Sequence, residues 1–243
     1  MGLHLFLDSA DPRDWQRWLP SGLFHGITCN PTLLRRAGQP CRLDHLARLS
    51  GEALALGAQE LHLQAWGGTA EAFASCGRQL AALAPGAIVV KLPLTQAGVL
   101  AARSLQGGPE PCRITLTACY EVPQVLLGAA LGVEYVAPYL GRLCDLGRDG
   151  HAELIAMQRC LEGVASPLKL LVASLRQPAD LSRLAAAGLH CFTISPAIAA
   201  ALFGSEATAA AAEQFERDAR DGATGEDPPS GAASAQAGPQ ADP

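Results

Sequence analysis

Along this chain, short and mainly apolar runs alternate with longer segments whose apolar residues recur every three or four positions. The runs at residues 3–8, 22–28, 60–65, 87–92, 112–118, 133–137, 168–173 and 190–195 predict eight strands. The periodic segments at 42–56, 69–83, 96–105, 122–131, 151–162, 178–187 and 196–203 predict helices, and Asp11 before Pro12 starts another. Leu43, Leu46, Leu49, Ala53 and Leu56 trace one apolar face, which stops at Gly57. Trp15 and Trp18, three apart, predict a helix face docked on a core. Continuously apolar strands are those covered on both sides, as parallel strands are. Eight strand-then-helix units of about 25 residues therefore predict an α/β chain closed into a (β/α)8 TIM barrel. An open doubly wound sheet competes with it, but no G-x-G-x-x-G follows the first strand.

Residues 206–221 predict one more amphipathic helix, and the alanines at 207–212 favour it. Residues 222–243 are Gly, Pro, Ala, Ser and Asp with little to bury, so they are expected to be a disordered tail behind a single domain at 1–221. With 49% hydrophobic and 17% charged residues, the chain is composed like a protein with a large buried core. A formal net charge of -5 argues against nucleic acid as a partner, leaving room for a local basic pocket that takes a small anion. No apolar run approaches the roughly 18 residues that span a bilayer, and no basic leader precedes the first strand, so a cytoplasmic protein without a membrane partner is expected. The eight cysteines show neither C-x-x-C nor zinc spacing, which argues against a metal site or a disulfide framework. His4, His25, His45, His62, His151 and His190 show no pairing and are expected to be structural or exposed.

The run Ile88-Val89-Val90-Lys91-Leu92-Pro93 interrupts an apolar strand with one lysine. Such a lysine either snorkels to solvent or is there for its chemistry. If Lys91 points into the barrel then Val89 does too, leaving Val90 and Leu92 to face the helices. A buried amine is favoured in its neutral form and can condense with a ketone or aldehyde. The imine then acts as an electron sink for making or breaking a carbon-carbon bond, with no metal or other cofactor. Other strand ends carry polar groups as well: Asp8, Thr28 with Asn30, Gln64, Thr117, Tyr139 with Arg142, and Ser174 with Arg176. In a parallel barrel those ends form the active face. Each also has an ordinary structural explanation: Asp8 as a helix cap, Asn30-Pro31 as a turn, the arginines as surface charges, Tyr139 as core packing.

Taken together, Gly26-Ile27-Thr28-Cys29-Asn30-Pro31-Thr32, Val90-Lys91-Leu92-Pro93-Leu94-Thr95 with Gly98, Glu134 through Arg142, and Ala173-Ser174-Leu175-Arg176 resemble the signature segments of the transaldolase and fructose-6-phosphate aldolase family. The order and spacing hold from Leu5 to about Phe203. The resemblance implies that Lys91 forms an imine with a keto-sugar phosphate or small hydroxyketone. It implies that Asp8 handles protons near the cleaved hydroxyl, and that Thr28, Asn30 and Ser174 hold donor hydroxyls. Gln64, Thr117 and Tyr139 would position the proton-shuttling water, and Arg142 and Arg176 would hold the phosphate. It also implies a homo-oligomer built through the last helix.

Gln64, where transaldolases of the family carry glutamate, and Tyr139, where they commonly carry phenylalanine, point to the aldolase-like branch. Cys29 stands in place of Ser or Thr, Gly141 in place of asparagine, and Trp66 in place of a smaller residue. Cys29 either alters donor recognition or packs outward, and Trp66 either narrows the pocket or lies outside it. Three activities fit: aldol cleavage of phosphorylated ketoses such as fructose 6-phosphate with release of a three-carbon ketone, transaldolase transfer, or a catalytically silent phosphosugar-binding barrel.

Overall fold

The computed structural model describes residues 2–223, so residues 224–243 of the expected tail lie outside the described residues. Eight parallel strands, β1 (His4–Asp8), β2 (Gly26–Thr28), β3 (Glu60–Gln64), β4 (Ile88–Pro93), β5 (Arg113–Cys119), β6 (Tyr135–Pro138), β7 (Lys169–Val172) and β8 (Cys191–Ile194), pair in chain order and close as β8 meets β1. The helices are α1 (Pro12–Trp18), α2 (Pro31–Arg36), α3 (Leu43–Ala55), α4 (Ala70–Ala81), α5 (Gln96–Gln106), α6 (Gln124–Leu131), α7 (Leu140–Asp145), α8 (Gly150–Gly163), α9 (Pro178–Ala185) and α10 (Pro196–Ala201). They belong to a unit running from Met1 to Phe203; a second unit begins at Gly204, and its described part is α11 (Glu206–Ala223). No described helix is long and apolar enough to cross a membrane.

Local chemistry sets the helix starts. Asp11 caps α1, accepting from the Arg13 amide at 2.9 Å, with Pro12 at the first helical position. Asp8 is therefore released from the capping role. Thr69, Thr95 and Ser195 cap α4, α5 and α10 in the same manner. Trp15 and Trp18 are buried as their spacing predicts, and Trp15 Nε1 donates to the Ser9 carbonyl at 3.0 Å. Strand β2 is shorter than its apolar run, because residues 19–21 form a 3-10 turn that ends on left-handed Gly22. Two six-residue helices, α2 and α7, were not expected from the pattern, although the equally short α10 was.

Alternation along the strands divides the core in two. Val90, Leu92, Leu61, Leu63, Ile114 and Leu116 pack outward against the helices, whereas Phe6, Val89, Tyr135, Ala137, Leu171 and Cys191 cluster separately inside the barrel. Barrel interiors are usually filled with branched apolar side chains. Here the N-terminal half of the interior holds a charged network instead. Glu60 accepts from Arg113 at 2.5 Å and Tyr135 at 3.0 Å, and lies 3.3 Å from both His25 and His62. Arg113 also pairs with Glu134 at 2.7 Å, and Lys169 closes the set on Glu134 at 3.3 Å.

These contacts correct the expectation of unpaired histidines. His62 is wholly buried, its Nδ1 2.9 Å from Thr115 Oγ1, and His4 stacks on His25. His45 pairs with Gln39 and His151 with Asp180. His62 with Thr115, His4 with His25 and His151 with Asp180 are 21 to 53 residues apart in sequence, so spacing could not reveal them.

Burial opposes the charge on Glu60, but hydrogen bonds from His62 and Arg113 outweigh it and hold the carboxyl far below the usual range. Burial, partly offset by Glu60, lowers His62 to about 4. The folded protein thus keeps His62 neutral while the unfolded chain protonates near 6.5, so this stabilisation is complete above pH 6.5 and is lost as pH falls through 4. Urea unfolding is expected to lose on the order of a few kcal/mol between pH 7 and pH 4. In His62→Gln the loss over that window should be clearly smaller; an equal loss would assign it to other groups.

Candidate active site

At the C-terminal end of the barrel a cavity of about 280 Å³ opens between the strand ends. Its lining includes Asp8, Thr28, Asn30, Lys91, Tyr139, Arg142, Ser174 and Arg176, each two residues or one short turn beyond an interior position of its strand. Lys91 follows Val89 on the inward face of β4 and is only 5% exposed, which removes the snorkelling alternative. Its Nζ donates to the Cys29 carbonyl at 3.0 Å. The chain has one other lysine, Lys169, tied to Glu134 and Tyr135 at the opposite end of the strands.

Two further expected residues lie off the cavity wall. Thr117 reaches it through Tyr139, their hydroxyls 2.7 Å apart. Gln64 follows His62 along β3, and its amide donates to the carbonyls of Lys91 at 3.3 Å and Ala65 at 3.5 Å. Asn30 has two jobs: its Oδ1 caps α2 by accepting from the Leu33 amide at 3.0 Å, while its amide nitrogen remains available on the cavity side.

The departures at Cys29 and Trp66 are turned away from the cavity. Cys29 lines a small void among Trp15, Ile27, Leu46 and Leu49, outside the barrel. Burial, partly offset by Lys91, pushes its thiol up to about 12, so it stays neutral. Trp66 packs on the outer core and is absent from the cavity lining.

The basic mouth is built by α7 and the end of β7. The amides of Leu140 and Gly141 donate to Ala173 O at 3.0 Å and Ser174 O at 2.8 Å, bonds that satisfy the first turn of an uncapped helix. This docking puts Arg142 beside Ser174 and Arg176. Arg142 stacks 4.8 Å over the Tyr139 ring and donates to Tyr120 OH at 3.2 Å, and Arg176 pairs with Asp145. Ser174 holds a left-handed φ of 62°, a conformation that costs a non-glycine residue on the order of 1 kcal/mol and concentrates at functional sites.

Sequence reasoning passed over Arg36, Asp145 and Thr193, which also line the cavity. The first two ride on the short helices α2 and α7. Thr193 was within reach: it is the polar residue two beyond interior Cys191, the same offset that picks out Lys91 after Val89.

An amine on the floor, a carboxylate and several hydroxyls on one wall and guanidinium forks at the mouth make a (β/α)8 barrel equipped to receive a small anionic carbonyl compound. The Transaldolase/Fructose-6-phosphate aldolase family matches residues 5–228 of the chain. A protein named "Probable transaldolase" from a Caulobacter species is 33% identical over 216 residues, covering 89% of this chain and 96% of the relative. A Thermus thermophilus protein of the same name is 32% identical over 209 residues, covering 81% and 88%. Among solved structures, a flavocytochrome b2 variant with sulfite bound superposes with a TM-score of 0.53 at 13% identity. That superposition covers 79% of this chain and 56% of the other, a likeness of fold alone. The chain belongs to the Transaldolase/Fructose-6-phosphate aldolase family, and it is an enzyme of the transaldolase or aldolase type.

Gly141 is where the mouth is tightest. A Cβ there would lie 2.4 Å from both Arg176 Nε and Ser174 O, so the guanidinium occupies the space a side chain would need. In an open helix, glycine to alanine stabilises by roughly 0.5–1 kcal/mol. Gly141→Ala is expected to reverse that sign and cost about 1–3 kcal/mol in urea denaturation, as overpacking does.

Proposed function

We propose that the enzyme cleaves and forms carbon-carbon bonds in phosphorylated ketoses such as fructose 6-phosphate by class I aldol chemistry, releasing a three-carbon ketone. The observation that carries this reading is Lys91: a strand-borne amine, 5% exposed, opening into a cavity whose mouth holds Arg142 and Arg176. The amine adds to the ketose carbonyl and water leaves, giving an iminium. As the carbon-carbon bond breaks, its electrons move into the iminium to form an enamine, while the hydroxyl proton of the departing aldehyde passes to Asp8. The enamine is then protonated on carbon, and water hydrolyses the imine to free the ketone.

Each remaining group has a place in that sequence. Arg142 and Arg176 hold the phosphate, Arg142 with its plane fixed by the Tyr139 ring. Ser174, the Asn30 amide and Thr28 hold donor hydroxyls. The Thr117–Tyr139 hydroxyl pair, with Gln64 beside Lys91, positions the water that carries protons to and from the imine. A phenol shuttles protons without resting as a charge in the cavity.

A second reading, transfer of the dihydroxyacetone unit to an acceptor sugar phosphate, is favoured by the names of the relatives. The two differ in what happens to the enamine: prompt protonation releases the ketone, and slow protonation keeps it for an acceptor.

Incubation with fructose 6-phosphate or dihydroxyacetone followed by borohydride should leave a reduced adduct on Lys91, located by mass spectrometry. A label on Lys169, or none with either donor, would falsify the reading. Lys91→Arg should abolish turnover. Tyr139→Phe is expected to lower ketone release about 10²-fold, the range for loss of a general acid-base group, and to raise the share transferred when erythrose 4-phosphate is supplied.

A further inference from the structure

One stretch of the cavity wall is made by three side chains from neighbouring strands: Thr193 of β8, Asp8 of β1 and Thr28 of β2. Thr28 Oγ1 lies 2.6 Å from Asp8 Oδ1 and also in hydrogen-bond contact with Thr193 Oγ1. Both threonines are buried, Thr28 at 1% and Thr193 at 4% exposure, so neither bond exchanges freely with bulk water.

Proton counting fixes the direction of this chain. A threonine hydroxyl has one proton to give, and a carboxylate has none. Thr28 must spend its proton on Asp8, since that contact has no other donor. The bond between the two threonines then needs the proton of Thr193. The wire runs in one direction only, from Thr193 to Thr28 to Asp8, and each donation strengthens the next.

We propose that Thr193 is a positioning residue: by giving its proton to Thr28 it locks the Thr28 proton on Asp8 and leaves the wall with lone pairs alone facing the substrate. The inference rests on the aldol reading above and deepens it. An acceptor-only wall receives hydroxyl protons from a polyhydroxylated carbon chain and repels a phosphate or carboxylate, which the arginines at the mouth attract. It also holds the Asp8 carboxylate in one orientation, with the oxygen not bonded to Thr28 left to take the hydroxyl proton released in cleavage. Thr28, placed among the donor-binding residues by resemblance, thereby serves as an acceptor toward substrate and never as a donor.

The test is a double-mutant cycle on ketone release from fructose 6-phosphate, read beside borohydride trapping at Lys91. Thr193→Val, which keeps shape and removes the hydroxyl, should lower kcat about five- to tenfold, the range for one buried hydrogen bond in a coupled chain, with KM changed by less than about twofold. The Lys91 adduct should still form. Thr193→Ser should restore kcat. Because Thr193 acts through Thr28, Thr193→Val should add nothing further in a Thr28→Val background.

Equal losses in both backgrounds, no loss in either, or a folded Thr193→Ser protein that is not restored would each overturn the proposal. A circular-dichroism melt establishes that each variant is folded. Absence of the Lys91 adduct in the unsubstituted enzyme is a different outcome, and it would remove the aldol reading itself together with this inference.

Discussion

Closing eight parallel strands on themselves is the constraint from which the rest follows. Once β8 pairs with β1, every second side chain of every strand is confined to one narrow interior, and polar groups placed there must satisfy one another. Lys91, Thr28, Thr115, His62 and Glu60 are buried for this reason, and all five have a hydrogen-bond partner. Removal of a partner from such a network costs more than the bond it contributes, because the group left behind is unpaired.

The interior is layered by function. Toward the N-terminal ends of the strands the network around Glu60 joins β3, β5 and β6 through Arg113, His62 and Tyr135. Above it lies the ring of Phe6, Val89, Ala137, Leu171 and Cys191, and two residues further on come Asp8, Lys91, Tyr139 and Thr193 at the cavity. An apolar layer thus lies between the charged network and the polar groups that line the cavity. The stability of this enzyme is tied to pH through His62, one interior layer below the amine that carries the proposed chemistry.

Precision at the mouth comes from backbone as much as from side chains. Helix α7 begins by donating two amides to the end of β7, and the left-handed turn at Ser174 brings those carbonyls into place. With Gly141 at the point of contact, the Arg176 guanidinium lies where any side chain at 141 would stand. The glycine at 141 and the placement of a cavity-lining arginine are one steric fact.

How much of this was legible depends on the range of the interaction involved. Continuous apolar strands, helix periodicity and the Asp11-Pro12 cap are short-range, and the sequence by itself determined the barrel and the strand ends that meet at the cavity. Lys91 was readable because a charge in an apolar run has few reasons to be there. The short helices α2 and α7 were not expected from the pattern, which hid Arg36 and Asp145. Only the tertiary structure decided that Cys29 and Trp66 face away from the cavity, since one strand's pattern does not say which of its two faces closure turns inward. It alone decided the pairing of His62 with Glu60 and of Thr28 with both Thr193 and Asp8. The threonine contacts join residues that closure brings together, whereas His62 and Glu60 share one strand and meet because both face the interior; the directions depend on which group has a proton left to give.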